Sequence, residues 1–424
     1  MSLGCSKNLV DSEVLMAQLT ANDFQVSFEK DADADIVVIN TCGFIKDAKQ
    51  ESIDTILQHV RAKERGQVKK LYVMGCLAER YMKDLKKEIP DVDQYFGVNS
   101  IKEIISSIGG NYKADLVGER QLTTPSHYAY LKISEGCNRN CTFCAIPMMR
   151  GKHISKPVDE IIKEANNLAA KGVKELILIA QDLTYYGIDL YKKNQFAYLL
   201  ENLSEVKGIE WIRLHYAYPA GFPEDAIKVI RQKSNICKYI DMPVQHINNR
   251  ILALMQRGHS REQTIQLLQK IRQEIPDVAL RTTIIVGFPG ETQQEFDELL
   301  DFISIYKFDR LGVFMYSPEE GTKAYKLPDN VPDEVKKERM EKIMDVQQSI
   351  SLKLNIGKVD KVFQTIIDRQ EGEYYIGRTE FDSPEIDNEV LISSNNKDLL
   401  IGNFYPVKVS KADYFDLFGT VSQF

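Results

Sequence analysis

Between Tyr128 and Ser317 the chain alternates short apolar runs with amphipathic stretches of helical spacing, and it does so six times over. That alternation constrains the fold more than any other feature, because a strand–helix–strand crossover has one allowed hand and curls successive units into an open barrel. The predicted strands are Tyr128–Ile133, Glu175–Ala180, Trp211–Tyr216, Tyr239–Val244, Leu280–Val286 and Arg310–Tyr316. The predicted helices include Val158–Lys171, Phe196–Val206, Glu224–Gln232, Arg250–Gln256, Arg261–Glu274 and Gln293–Tyr306. In such a barrel, ligand-binding loops gather at the carboxyl ends of the strands.

Two further regions flank the barrel, so the expected boundaries are 1–122, 123–355 and 356–424. In the first, Asp35–Asn40 and Lys70–Gly75 read as buried parallel strands. Val10–Leu19 and Lys46–Arg61 read as helices, the pattern of an open α/β sheet. Pro332–Asn355 reads as a charged linker helix. Beyond it, Val359–Ile367, Tyr374–Arg378, Glu389–Ile392 and Tyr405–Val409 alternate with turns at Gly372, Asp382–Pro384 and Asn395–Asn396. This predicts a small antiparallel β-barrel.

The run Glu135-Gly136-Cys137-Asn138-Arg139-Asn140-Cys141-Thr142-Phe143-Cys144 follows the first predicted barrel strand. Its three cysteines form a C-x3-C-x2-C array with no fourth ligand beside them. Soft thiolates select iron–sulfur clusters, Cu(I) or zinc. A closed structural zinc site wants four ligands, whereas three on a four-iron cubane leave one iron open. A zinc or structural thiol site is the alternative. Three more cysteines, Cys5, Cys42 and Cys76, each follow a predicted strand end, precede a helix and sit beside Gly4, Gly43 or Gly75. That edge is where open α/β sheets bind ligands, so the three are expected to converge. The alternative is three separately buried thiols. Cys237 is expected to be packing alone.

The C-x3-C-x2-C array, with Phe143 before its last cysteine, resembles the radical S-adenosylmethionine (SAM) family. A second three-cysteine domain ahead of it resembles the methylthiotransferases of that family, over essentially the whole chain. The likeness tightens at Leu3-Gly4-Cys5-Ser6-Lys7-Asn8-Leu9-Val10-Asp11-Ser12-Glu13, at Asn40-Thr41-Cys42-Gly43-Phe44-Ile45 and at Cys144-Ala145-Ile146-Pro147-Met148-Met149-Arg150-Gly151. These runs look like the branch that modifies an aspartate of ribosomal protein S12, rather than the branch that modifies tRNA adenosine. The resemblance implies two 4Fe–4S clusters, a SAM-binding one on Cys137, Cys141 and Cys144 and an auxiliary one on Cys5, Cys42 and Cys76. It also implies a C-terminal TRAM domain, and SAM as source of both the radical and the methyl group.

Candidate SAM contacts are Phe143, Gln181, Asp182, Arg213, Gln245 and Gly287. Gln181 or Asp182 would meet the SAM amino group, Arg213 its carboxylate, and the Gly287 stretch its adenine. Arg213 has an equal alternative as an interior charge satisfied by a neighbouring acid. Asp241 and His246 are weaker site candidates. No acid–base or nucleophile triad stands out.

Net charge is −7, and residues 357–424 carry seven Lys/Arg against twelve Asp/Glu, a net −5. An acidic module disfavours direct nucleic-acid binding and suits a basic protein such as S12. Few cysteines, an odd count of seven and no apolar leader at Met1–Val10 argue for a reducing cytoplasmic setting without disulfides. No apolar run reaches membrane-spanning length. Neither the electron donor nor the oligomeric state is legible.

Overall fold

The computed structural model describes residues 1–28, 34–393 and 398–422. The N-terminal sheet is parallel, with β1 (Ile36–Thr41), β2 (Lys70–Gly75) and β3 (Gln94–Tyr95) in that order. Around it pack α1 (Ser6–Thr20), α2 (Lys46–Glu64), α3 (Cys76–Glu88) and α4 (Ile101–Ile108). Ile39, Leu71 and Val73 are fully buried against Ile56 and Leu77 of the helices, as a sheet covered on both faces requires. Ahead of α1 the chain lies against β1, with Ser2 bridged to Asn40 in parallel register. Cys5 therefore stands at the same carboxyl edge as Cys42 and Cys76.

The central sheet runs in sequence order through six parallel strands, β4 (Tyr128–Lys132), β7 (Glu175–Ile179), β8 (Trp211–Leu214), β9 (Ile236–Asp241), β10 (Ala279–Val286) and β11 (Arg310–Met315). A small antiparallel pair, β5 (Ser134–Glu135) and β6 (Ile154–Ser155), closes the base of the cysteine loop around α5 (Ile146–Arg150). The outer layer comprises α6 (Val158–Ala170), α7 (Ile188–Tyr191), α8 (Phe196–Ser204), α9 (Glu224–Gln232), α10 (Asn249–Leu254), α11 (Arg261–Glu274) and α12 (Gln293–Tyr306). Leu176, Leu178, Ile212, Leu214 and Leu280 face these helices in the main core. The strand expected at Tyr239–Val244 starts earlier and ends at Asp241. The backbone then turns through Gln245, which has a positive φ of 69°.

The helix α13 (Asp333–Ile356) leads to a closed five-stranded barrel of β12 (Val362–Glu371), β13 (Tyr374–Thr379), β14 (Val390–Ser393), β15 (Phe404–Ala412) and β16 (Leu417–Val421). Strand β16, absent from the sequence reading, pairs antiparallel with β15 and parallel with β14. The expected Gly372 turn joins β12 to β13, with φ +57° at the glycine. The expected turn at Asn395–Asn396 lies outside the described residues. Among the described residues no helix is long and apolar enough to cross a membrane.

The concave face of the six-stranded sheet is covered from two sides. Leu9 and Val10 of α1 pack on Tyr128, Tyr130, Ile177 and Ile179 near one end. Ile366, Phe381 and Phe404 of the C-terminal barrel pack on Trp211, Cys237, Tyr239 and Ala279. Between them lies the mouth where the functional candidates gather.

Candidate active site between two thiol trios

The loop bearing Cys137, Cys141 and Cys144 is fixed by its backbone. Gly136 adopts φ +74°, and a Cβ there would land on the Lys152 carbonyl, so a side chain is excluded immediately before the first cysteine. Cys137 N–H donates to the Gly151 carbonyl at 3.1 Å, and Thr142 N–H donates to the Met255 carbonyl at 3.0 Å. Thr142 Oγ donates to the Leu254 carbonyl at 2.9 Å, tying the loop to α10. Phe143 packs with Ile251, Met255, Phe288 and Tyr316, so it seats the loop on the barrel rim.

Charge surrounds these sulfurs. Arg257 Nη1 lies 3.2 Å from Cys141 Sγ, and Tyr218 Oη lies 3.6 Å from it. The Arg139 N–H points at Cys137 Sγ from 3.4 Å. Burial pushes the Cys137 thiol up to about 11 and the Cys144 thiol to about 12, and each is raised further by its neighbouring cysteines. Thiolates in this loop therefore need a cation against them.

The second trio stands opposite. The ideal Cβ of Gly4 would fall 2.8 Å from Cys42 Sγ, so the glycine brings the Cys5 turn against Cys42. Cys42 N–H is held by Ser52 Oγ at 3.0 Å, and Cys76 begins α3. Burial raises both Cys42 and Cys76, the latter to about 11, and the Cys5 charge adds to each. Arg150 opposes this, with its Nε 3.3 Å from Cys76 Sγ.

Arg150 belongs to α5, directly behind Cys144, yet all its partners but Glu135 belong to the N-terminal domain. Nη1 donates to Asp11 Oδ2 at 2.9 Å and to Glu135 Oε2 at 2.9 Å, and Nη2 donates to Asn8 Oδ1. Lys132 bridges the same two acids, Asp11 and Glu135. Burial alone would raise the Glu135 carboxyl, but Lys132 and Arg150 hold it down at about 2. A single buried guanidinium thus joins the helix behind Cys144 to Cys76, Asp11 and Asn8 of the N-terminal domain.

The remaining sequence candidates divide. Gln181 donates to Glu135 Oε1 at 2.8 Å and leaves its own buried Oε1 unsatisfied, so it borders the mouth. Gln245, strained at φ +69°, likewise has a buried unsatisfied Oε1. Asp182 is engaged: Oδ1 accepts from Thr184 N–H and Oγ, and Oδ2 accepts from Arg139 Nε at 2.8 Å. Gly287 donates its N–H to Glu291 at 2.9 Å, and its missing Cβ makes room for Lys336 of α13. Asp241 pairs with Arg281 at 3.0 Å, and His246 is buried beside Glu291.

Arg213 matches the second of its two readings, an interior charge satisfied by a neighbouring acid. It is 0% exposed and donates to Glu175 at 2.6 Å and to the Glu380 and Thr379 carbonyls of the C-terminal barrel. Its reach is to the far end of the strands, away from the cysteine loops, because Glu175 opens β7. It docks the C-terminal barrel. Cys237 packs beside it, as expected.

Several mouth residues escaped the sequence reading as individuals: Lys7, Asn8, Asp11, Arg139, Arg150, Tyr216, Tyr218 and Arg257. Lys7, Asn8, Asp11 and Arg150 stand inside the quoted motif runs, and a charge one or two helical turns from a cysteine was the available signal.

The donor chemistry suits the implied groups. A tetrahedral zinc site draws sulfurs to about 2.3 Å from one point. Among the described residues no group of three or more His, Cys, Asp or Glu converges to hold a single metal ion. Each trio instead combines three thiols, no fourth cysteine and one arginine on a sulfur, a set fitted to a larger cluster with one open corner.

Family models match three stretches: Radical SAM superfamily over residues 131–303, Uncharacterized protein family UPF0004 over 1–97, and TRAM domain over 357–421. The chain is 55% identical over 419 residues to a protein of Christiangramia forsetii named ribosomal protein uS12 methylthiotransferase RimO, covering 99% of this chain and 93% of that one. Proteins of the same name from Cytophaga hutchinsonii, 55% identical over 422 residues (99% of this chain, 97% of the other), and Bacteroides thetaiotaomicron, 53% identical over 423 residues (99% and 97%), match as well. Among solved structures, the radical SAM methyltransferase TsrM from Kitasatospora setae superposes with a TM-score of 0.55 at 13% identity, over 74% of this chain and 72% of that chain. The cobalamin-dependent SAM radical enzyme OxsB gives 0.51 at 16% identity, over 80% and 55%. These two likenesses concern the fold.

Proposed function

Because the chain belongs to the ribosomal protein uS12 methylthiotransferase family, we propose that it places a methylthio group on the β-carbon of an aspartate of ribosomal protein S12 and uses SAM in doing so. The observation that supports this reading is the Arg150 junction, which brings the helix after the C-x3-C-x2-C loop against Cys76 and Asp11 of the N-terminal domain.

Cys137, Cys141 and Cys144 would hold the SAM-binding 4Fe–4S cluster, and Cys5, Cys42 and Cys76 the auxiliary one. When bound, these clusters together with SAM would supply a radical able to take hydrogen from an unactivated carbon, with the methyl coming from SAM and the sulfur joining it on the carbon. The chain's own residues do the rest. Arg257 and Arg150 place positive charge beside the sulfurs of Cys141 and Cys76. Thr142 and Gly136 fix the loop whose three cysteines would hold that cluster. Gln181 and Gln245 offer buried, unsatisfied amide oxygens to an ammonium, which makes them better SAM contacts than Asp182. Leu9, Val10 and the C-terminal barrel keep water from the concave face. The acidic C-terminal module offers the basic S12 a complementary surface, and the reaction belongs in a reducing compartment such as the cytoplasm.

The test is the mass of candidate substrates after incubation with reconstituted enzyme, SAM, sulfide and reductant. A methylthio mass gain on S12 supports the reading. A gain on tRNA alone overturns the substrate, and zinc in place of iron overturns the chemistry.

A further inference from the structure

We infer that the ammonium of Lys7 receives the side-chain carboxylate of the target aspartate, and so selects an acidic substrate; this rests on the function proposed above. Lys7 lies in α1, half a turn beyond Cys5, and is only 7% exposed. Its Nζ sits 3.7 Å from the centroid of the Tyr216 ring. Among the described residues it has neither an ion-pair partner nor a hydrogen bond.

That is unusual company for a buried cation. The other cations of the mouth are matched: Lys132 with Asp11 and Glu135, Arg150 with the same acids, Arg139 with Asp182, Arg281 with Asp241, and Arg257 with Cys141. Cys5, Glu135 and Asp241 act on it through charge at a distance, while among the described residues none of its N–H donors is in a hydrogen bond, so its burial is costly. Tyr216 is itself held at φ +67° by two backbone bonds. Its N–H donates to Asp241 at 3.1 Å, and its carbonyl accepts from Leu183 at 3.2 Å. Strain of this kind gathers where a side chain must be aimed. Here it puts an aromatic face under the ammonium, a favourable seat that leaves the N–H donors free.

Chemistry then selects the occupant. On an aspartate the carboxylate is bonded directly to the β-carbon, so it must lie within one bond of the reacting atom. Lys7, beside the auxiliary trio, is the free donor at that position. SAM carries a carboxylate too, so the experiment separates the two.

Lys7→Met keeps the length and removes the charge. Its melting temperature should equal or exceed that of wild type, since a buried unpaired charge is lost. Its affinity for S12 should fall by about ten-fold to a hundred-fold, with SAM affinity unchanged. Wild type should discriminate by the same factor against S12 carrying Asn at the aspartate it marks, and Lys7→Met should not discriminate. Lys7→Arg should recover part of the affinity. Equal discrimination by wild type and Lys7→Met overturns the inference. A loss confined to SAM affinity also overturns it and gives Lys7 to the SAM carboxylate. Wild-type enzyme that leaves S12 unmodified is a separate result, which removes the function and this inference with it.

Discussion

Arg150 Nε stands 3.3 Å from Cys76 Sγ, although Arg150 is on the helix that follows the C-x3-C-x2-C loop and Cys76 begins a helix of the N-terminal domain. The guanidinium also spans Asp11 and Glu135, so one side chain satisfies two acids and a sulfur.

Removing it should part the two domains. Arg150→Met leaves Asp11 and Glu135 with Lys132 alone, and breaking a buried pair costs about 3–5 kcal/mol. Urea unfolding should show that loss. Arg150→Lys should recover some of it, because the charge remains but the planar fork does not.

Arg213 tests the difference between a docking charge and a ligand contact. Arg213→Met should destabilise by about 3–5 kcal/mol, since Glu175 keeps only Arg378. SAM affinity, measured by equilibrium dialysis on the reconstituted protein, should stay at the wild-type value.

Acid should loosen the C-terminal barrel through Asp368. Burial works to raise this carboxyl, but Arg378 and His127 hold it at about 2 against an ordinary 3.8. A lowered carboxyl stabilises the fold above its unfolded value and loses that contribution as pH falls through its folded value. The window is therefore about pH 4 down to pH 2, and the contribution is about 2 kcal/mol. Asp368→Asn should flatten the acid limb of stability against pH between those limits, while a slope unchanged from wild type would exclude Asp368 as its source.

What the sequence made legible follows from locality. The six barrel units and the cysteine loop are local patterns, since strand length, helical period and ligand spacing are written in neighbouring residues. The placing of Cys5, Cys42 and Cys76 at one sheet edge was accessible because each sits at a strand end, and parallel strands share a carboxyl edge. Arg213 stood open between two readings because Glu175 and Arg378 lie on distant segments, and no local pattern tells one end of a lumen from the other. Gly287 read as a site of close ligand approach, yet the group that approaches it is Lys336 of α13. Strand β16 escaped because Asp413 and Asp416 break the pattern just before it, and its register is set by β14 and β15. Lys7 carried no signal of its own, because its isolation is a property of the docked mouth.

The central claim is that two distinct trios serve one reaction, and paired cysteine variants test it most directly. Wild type should bind about eight irons per chain, two four-iron clusters, and should add a methylthio mass to S12. Cys42→Ala should keep SAM cleavage and yield no methylthio product, whereas Cys141→Ala should lose cleavage itself. Methylthio-modified S12 from the Cys42→Ala protein would contradict the account.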